Sequence, residues 1–245
     1  MRRRASPLFR WVRRLVVLAL LAFLALLGWG YGRDHPEDVP WTPLNLSQPV
    51  GLFTGRKLAA THGSACRTLL ADGGISFTPM PPQRDGQECG MDDAVRLLPD
   101  GAADIAFHPA GLGMSCRLAA GLALWEWHVV QPAALARFGK RVVEIDHFGS
   151  YNCRRMYGRA SEPWSEHARA NALDVAGFRL EDGRRISVAA DWTDKGAKGR
   201  FLHQVRDGGC RLFATVLSPD YNAAHHDHLH LDEAGRGAWG WRACR

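Results

Sequence analysis

The sequence lacks several features that would place it in a common class of proteins. It has no acidic residue before Asp34, no internal repeat and no two cysteines in a CxxC spacing. Zinc sites built on thiolates usually draw them from closely spaced cysteine pairs, so a cysteine-based zinc site is disfavoured.

The body of the chain lacks a basic bias, although the whole sequence carries a formal net charge of +6 and has a pI of about 9.2. The excess lies in a cluster of arginines that precedes every acidic residue, namely Arg2, Arg3, Arg4, Arg10, Arg13 and Arg14. Without this cluster, the basic and acidic residues balance. A nucleic-acid partner is therefore not expected, because binding to phosphate backbones requires a basic surface.

Charge is also missing from Leu15 to Tyr31, which form an apolar run directly after the arginines. As a helix this run would rise about 25 Å, at the short end of what crosses a bilayer. The arginines would keep its N-terminal side in the cytoplasm. A cleaved signal peptide remains the alternative, but Trp29 and Tyr31 fit an interfacial belt better than a cleavage site. We expect a single-pass inner-membrane protein with its C-terminal domain in the periplasm.

The six cysteines are scattered along the exported part of the chain. In an oxidising compartment, an even number of scattered cysteines predicts up to three disulfides. Pairing in chain order predicts Cys66–Cys89, Cys116–Cys153 and Cys210–Cys244.

Composition and periodicity divide the chain into four regions. Residues 1–32 form the basic tip and anchor, and residues 33–60 are rich in proline and polar groups and predict a linker. Residues 61–110 predict a small segment that bears disulfides, and residues 111–245 the main domain.

The main domain alternates helical and strand patterns. Apolar spacing predicts a helix over Cys116–Phe138, broken or kinked at Pro132. A strand follows over Arg141–His147, and Asp182-Gly183 between two strand-like runs is a hairpin signal. A second helix is predicted over Lys195–Gly208. Strands that pair locally with helices between them indicate an α+β fold, with a mainly antiparallel sheet flanked by helices.

The stretch AHHDHLHLD contains four of the eleven histidines of the chain. If its end is a strand, His228 and His230 share one face, whereas Leu229 and Leu231 can be buried on the other. Upstream, His167 precedes Asp174 by seven positions, and Asp174 lies in an apolar strand context. A buried carboxylate needs a partner or a metal. Two imidazoles and one carboxylate are a ligand set typical of catalytic zinc.

These motifs resemble those of known zinc peptidases. The run from Ser165 to Asp174 resembles the SxHxxGxAxD motif of D-Ala-D-Ala carboxypeptidases, with Ala170 in place of the motif's glycine. The HxH of His228 and His230 is similar to the second motif of the wider LAS group, which includes lysostaphin-type and murein endopeptidases. The run Cys116–Asp232 resembles the bacterial extensin-like C-terminal domain family. This resemblance implies a hedgehog/DD-peptidase-like fold.

The resemblance also implies roles for individual residues. His167, Asp174 and His230 stand where the group has its three zinc ligands. His228 stands where a histidine that does not bind the metal assists the reaction.

The resemblance leaves the general base open. Asp227 stands where the carboxypeptidases have a glutamate, and it is one methylene shorter. His225 stands where murein endopeptidases carry a histidine, so either side chain is a candidate. Tyr151 and Arg154 resemble a YR motif whose arginine contacts substrate, although here two residues separate them.

The implied function is a membrane-anchored, zinc-dependent hydrolase that cleaves peptide bonds of peptidoglycan with an activated water. Two alternatives stay open. One is a non-catalytic cell-wall binding or scaffold protein that retains a zinc site. The other is an interaction domain stabilised by disulfides, whose histidines bind metal only opportunistically. The surplus of titratable groups beside the ligands favours catalysis.

Overall fold

The structure, a computed structural model, describes residues 7–99, 101–102, 105–235 and 242–245. Helices and strands occur in groups along this part of the chain, in agreement with the α+β prediction. The helices are α1 (Pro7–Asp34), α2 (Thr54–Ala59), α3 (Gly63–Asp72), α4 (Cys116–Trp125), α5 (Gln131–Phe138), α6 (Val188–Asp191) and α7 (Ala197–Gly209). The strands are β1 (Phe77–Pro79), β2 (Gln83–Arg84), β3 (Gly90–Met91), β4 (Ala94–Leu97), β5 (Ala106–His108), β6 (Gly113–Ser115), β7 (Val142–His147), β8 (Ala172–Leu180), β9 (Arg185–Ser187), β10 (Thr215–Leu217), β11 (Leu229–Asp232) and β12 (Ala243–Cys244).

The main sheet has the strand order β12-β10-β11-β8-β7-β5, and β9 also pairs with β8. Its pairs are antiparallel except β10–β12 and β5–β7. Strands β1, β4 and β6 form a second, antiparallel sheet, and β2 pairs with β3. The fold is therefore α+β and mainly antiparallel, as predicted. Strands β8 and β11 lie in the middle of the main sheet, where neighbours fix both of their edges.

The core lies between the main sheet and helices α4 and α7. Trp125 at the end of α4 is fully buried, with its ring centroid 5.8 Å from that of Phe178 on β8. Phe178 in turn packs edge to face against Phe201 of α7, with ring centroids 5.1 Å apart. The indole Nε1 of Trp125 donates to the carbonyl of Val205 at 2.8 Å, so burial leaves this polar atom satisfied.

The predicted helix over Cys116–Phe138 continues through Pro132. A π-helical segment, Glu126–Val130, joins α4 to α5, and the Gln131 amide bonds to the Glu126 carbonyl. Because proline has no amide hydrogen to donate, a wider turn directly before it accommodates the missing bond. The helix is thus locally widened rather than broken.

Helix α1 is the one helix among the described residues that is long and apolar enough to cross a membrane. Its 28 residues would rise about 42 Å, more than the apolar run alone. None of its residues is buried against the rest of the chain. This agrees with the predicted transmembrane helix, and Arg2 to Arg4 lie outside the described residues.

The segment after α1 contains more structure than its composition indicated. Helix α2 lies within the predicted linker, and Leu46 and Leu58 are buried in the same core as α4. The composition predicts a tether here because proline and polar residues dominate the segment, so that Leu46 and Leu58 form no apolar pattern. The domain boundaries themselves stay a prediction.

Three disulfides are present, and two of the three predicted pairings are wrong. The bonds are Cys66–Cys116, Cys89–Cys153 and Cys210–Cys244, so Cys66–Cys89 and Cys116–Cys153 do not form. Pairing in chain order fails because α3 packs on the start of α4, which brings Cys66 to Cys116. The loop of Cys153 lies instead against the β2–β3 turn, where the Tyr151 hydroxyl donates to Asp85 at 3.2 Å.

Candidate metal centre

Strand register brings the first two candidate ligands together. In the antiparallel pair β8–β11, His230 lies directly opposite Asp174. Leu229 and Leu231 are fully buried on the other face of β11, as the alternation in the sequence predicts. His230 Nδ1 lies 2.9 Å from Asp174 Oδ1. Because burying the leucines fixes which face the histidine takes, the core of the protein sets the position of this pair.

His167 reaches the same point from a short 3-10 helix, Glu166–Arg169. The Ser165 side chain accepts a hydrogen bond from the His167 amide and begins this helix. Ala170 ends it in a left-handed conformation with φ of 50°, and β8 follows. His167 Nε2 lies 3.2 Å from Asp174 Oδ1 and 3.3 Å from His230 Nδ1. His167, Asp174 and His230 are hereafter called the ligand triad.

Each imidazole of the ligand triad is oriented by its other nitrogen. His167 Nδ1 lies 3.0 Å from the carbonyl oxygen of Ser150, to which it donates. His230 Nε2 lies 3.1 Å from Asp232 Oδ2, two residues further along the same strand face. The remaining ring nitrogens, His167 Nε2 and His230 Nδ1, therefore point into the site. Metal-binding histidines are usually held by this kind of hydrogen bond to a carbonyl or carboxylate.

The electrostatics of the triad follow from burial and mutual hydrogen bonds. Burial raises the pKa of Asp174, but hydrogen bonds with His167 and His230 outweigh it and hold the pKa well below its usual range. Burial lowers the pKa of His230, yet hydrogen bonds with Asp174 and Asp232 raise it to about 9. Asp174 is thus a buried anion, which cations stabilise.

The triad fits a metal ion in donor type and spacing. Two atoms that each lie about 2.0–2.1 Å from a tetrahedral zinc ion are about 3.4 Å apart. The three donor atoms of the triad lie within 3.3 Å of one another, close to that spacing. Two nitrogens and one oxygen are donors that zinc accepts, and three protein ligands leave one position of a tetrahedral ion open.

His228 stands beside the triad and is oriented by Asp227. His228 Nδ1 donates to Asp227 Oδ1 at 2.8 Å, and His228 Nε2 lies 3.5 Å from Asp174 Oδ1. The exposed ring of Phe148 packs edge-on against the imidazole, with centroids 5.8 Å apart. His228 therefore presents one free nitrogen to the site. The carboxylate of Asp227 faces His228 and not the triad.

His225 also lies next to the triad, beside His228. Its ring centroid is 5.1 Å from that of His228 and 6.0 Å from that of His230. Its Nδ1 lies 2.8 Å from Asn222 Oδ1, so Nε2 keeps its lone pair. Burial and the neighbouring histidine charges lower the pKa of His225 to about 4. His226, in contrast, is exposed.

Arg154 lies at the edge of this group of histidines. Its positive charge is among the causes that lower the pKa of His225. Among the described residues its guanidinium makes no hydrogen bond or ion pair. The disulfide between Cys153 and Cys89 fixes the backbone directly before it. Arg154 thus offers an unpaired cation beside the site. The structure thus places His225, Asp227, His228 and Arg154 around the triad, and their roles stay predictions.

Two residues that complete the site were not assigned a role from the sequence. Asp232 orients His230, and the period-two spacing of these residues on one strand was a signal that could have revealed it. The Ser150 carbonyl orients His167, but a backbone contact across 17 positions leaves no trace in the sequence.

A cavity of about 780 Å³ lies near the His167 helix but is separate from the triad. Glu166 and Asn171 line it, together with acidic and basic side chains of the β2–β3 region, and none of the three ligands does. The Asn171 amide donates to Glu166 and to the Glu233 carbonyl, so its lining is internally hydrogen-bonded. This cavity is not the site that the histidines form.

Comparison with known families settles the identity of the domain. Residues 64–245 match the family model described as "Extensin-like protein C-terminus". The chain belongs to this extensin-like family. The match covers most of the chain, including the whole ligand triad and all six cysteines. No curated protein and no solved structure matches the chain.

Proposed function

We propose that this extensin-like protein is a zinc-dependent hydrolase that cleaves peptide bonds of peptidoglycan. The observation that carries the proposal is the convergence of His167, Asp174 and His230, with one nitrogen of each imidazole turned toward the site. A site that only stabilises the fold would use four protein ligands, whereas this triad supplies three.

Zinc suits the triad because its two nitrogen donors and one oxygen donor match those of catalytic zinc sites. When bound, zinc would polarise the carbonyl of a substrate and lower the pKa of a water molecule to roughly 7. The resemblance of the two motifs to those of LAS-type peptidases supports this choice of metal and of reaction.

The side chains around the triad would stabilise negative charge and transfer protons during the reaction. His228, held by Asp227, places Nε2 near Asp174, where it can donate a hydrogen bond to an oxygen that gains negative charge. His225 keeps a lone pair on Nε2 and can accept a proton. We therefore favour His225 over Asp227 as the base, because Asp227 is already bound to His228.

Arg154 would bind a carboxylate of the substrate. It is an unpaired guanidinium next to His225, and such a group pairs with carboxylates in two parallel hydrogen bonds. Stem peptides of peptidoglycan end in a carboxylate, and their bonds include those cut by carboxypeptidases. If the terminal carboxylate of such a peptide bound Arg154, one of its peptide bonds would lie near the triad.

The location fits this substrate. Three disulfides indicate an oxidising compartment, and α1 is a candidate membrane span. We propose that α1 crosses the inner membrane once and that the folded domain lies in the periplasm. No nucleic acid is expected as a partner.

The experiment is a digestion of purified muropeptides by the full-length protein, with products identified by mass spectrometry. The zinc-loaded protein should release shortened or separated peptides, and protein stripped by a chelator should not. The His226→Ala variant is the matched control, since it removes an exposed histidine of the same stretch and should retain activity. If the zinc-loaded protein bound sacculi but left every muropeptide intact, the scaffold alternative would replace the proposed hydrolase.

A further inference from the structure

The two most exposed large apolar side chains in the structure lie just after α1. Trp41 is 84% exposed and Leu52 is 77% exposed, more than any large apolar residue of α1 itself. Both belong to the segment that sequence composition presents as a linker. An exposed tryptophan and leucine beside a candidate membrane helix need an explanation, because free linkers are normally polar.

A hydrogen-bonded junction ties this segment to the end of α1. The Tyr31 hydroxyl, on the last turn but one of α1, donates to Asp38 Oδ2 at 2.6 Å. The other oxygen of the same carboxylate accepts the Leu52 amide at 2.7 Å. A Cβ on Gly51 would lie only 2.5 Å from Asp38 Oδ1, so a glycine is required for this close approach. Asp38 therefore holds Leu52 against the helix end.

The same junction holds Trp41. The neighbouring Thr42 hydroxyl bonds to the carbonyls of Val39 and Pro36. Lys57 Nζ on α2 donates to the Pro36 carbonyl at 2.9 Å and to the Thr42 hydroxyl at 2.7 Å. Trp41 thus projects from a turn that α2 fastens in place.

The junction is also fastened to the folded body. Leu46, which lies between Trp41 and Leu52, and Leu58 on α2 are both fully buried in the main core. Arg211, which follows α7, donates to the Val50 carbonyl. The exposed side chains are therefore carried by a rigid part of the body and not by a free tether.

We propose that Trp41 and Leu52 enter the interfacial layer of the bilayer that α1 crosses, so that the body docks on the membrane in one orientation. Tryptophan prefers the headgroup level of bilayers. The occupant is the lipid headgroup layer because the junction is continuous with the candidate span.

The test places a single nitroxide label on the full-length protein in vesicles of phosphatidylethanolamine and phosphatidylglycerol. All six native cysteines are in disulfides, so a Leu52→Cys substitution adds one free thiol for labelling. Collision rates of the label with oxygen, which concentrates in lipid, and with a water-soluble nickel complex are measured by paramagnetic resonance. Ser161→Cys, at an exposed loop position of the body, is the matched control.

Docking predicts a several-fold preference for oxygen at position 52 and the opposite preference at position 161. A label at position 41, from Trp41→Cys, should behave like the one at position 52. Equal behaviour of positions 52 and 161 would overturn the proposal, because both would then lie in water. Exclusion of both reagents at position 52 would overturn it too, since this result indicates a protein contact with a second copy of the chain.

A second variant tests the junction. Asp38 is half-buried and lies outside the hydrophobic core, so Asp38→Ala should lower the melting temperature only slightly. In the protein labelled at position 52, Asp38→Ala should reduce the oxygen preference of the label. The backbone amide of residue 52 would lose the hydrogen bond to Asp38 that links it to Tyr31. An unchanged preference would show that Asp38 does not hold the docked orientation.

Discussion

The ligand triad and the groups around it are held by different kinds of structure. His230 and Asp174 lie on paired central strands, and His167 lies on a capped helix directly before one of them. His225, Asp227, His228 and Arg154, hereafter called the outer group, lie in loops or, for His225, at the end of the short 3-10 helix Ala223–His225. The triad is fixed by strand register, whereas the outer group depends on side-chain hydrogen bonds to Asn222 and within the pair Asp227–His228.

This difference corresponds to a difference in chemistry. A metal ligand set must keep its donors at fixed spacing, and a register that buries Leu229 and Leu231 provides that rigidity. Groups that move protons must instead adjust to a substrate, for which loops are suited. Removing a triad residue should therefore abolish metal binding, and removing a residue of the outer group should affect only the reaction.

Asp174→Ala should abolish stoichiometric zinc binding and with it all hydrolysis. The substitution removes the one anion of the triad and leaves two imidazoles facing each other at 3.3 Å. Zinc content of the purified variant, measured by mass spectrometry of the metal, should fall from one per chain to near zero. A variant that kept full zinc content would show that the ion binds elsewhere.

The elements that carry the triad could be predicted because their determinants are local, whereas the resemblance to zinc peptidases implied which histidines are the ligands. Alternation of histidine and leucine sets the face of β11, and seven residues from His167 to Asp174 cover one turn and the start of a strand. The α+β class, the hairpin around Asp182-Gly183 and the helix near 197–209 follow from equally local patterns.

Contacts between distant parts of the chain could not be predicted. The Cys66–Cys116 bond depends on how α3 packs on α4, and no spacing in the sequence records this. The same is true of the Ser150 carbonyl behind His167, which decides the tautomer of that ring. The bond between Asp227 and its neighbour His228 is local, but it depends on side-chain orientations that the sequence does not record. The choice between Asp227 and His225 as base was open for that reason.

His228→Gln should lower kcat by about 10²–10⁴-fold with zinc content unchanged. Glutamine keeps a hydrogen-bonding side chain of similar size but cannot carry a positive charge. His226→Gln, the same change at the exposed neighbour, should leave kcat as in the wild type. Loss of zinc from His228→Gln would contradict the division between triad and outer group, because His228 would then be a fourth ligand.

Asp232→Asn should weaken zinc binding by about 10–100-fold without abolishing it. The asparagine can still accept the hydrogen bond from His230 Nε2, but it lacks the negative charge that increases the basicity of Nδ1. Competition with a chelator measures the affinity. Asp182→Asn, in the exposed β8–β9 turn, is the control and should have no effect. Equal affinities of the two variants would show that Asp232 does not act on the metal.

Ala170→Gly should have the smallest effect of these substitutions. It should change the free energy of unfolding only slightly and should leave zinc affinity unchanged. A left-handed alanine costs about 1–2 kcal/mol, which glycine would relieve. Loss of the buried methyl group and the greater freedom of the unfolded chain oppose this gain by about 1–2 kcal/mol. The free energy of unfolding, measured with denaturant, should therefore shift by less than about 1 kcal/mol in either direction.

Ala168→Gly provides the matched comparison for this position. Ala168 is equally buried in the same short helix, but it does not have a positive φ. Its substitution removes a methyl group without relieving strain, so it should destabilise the protein by about 1–2 kcal/mol more than Ala170→Gly does. If both variants were equally destabilised, the alanine at position 170 would carry no strain. Similar zinc affinity in both variants would show that replacing the motif's glycine leaves the ligand triad intact.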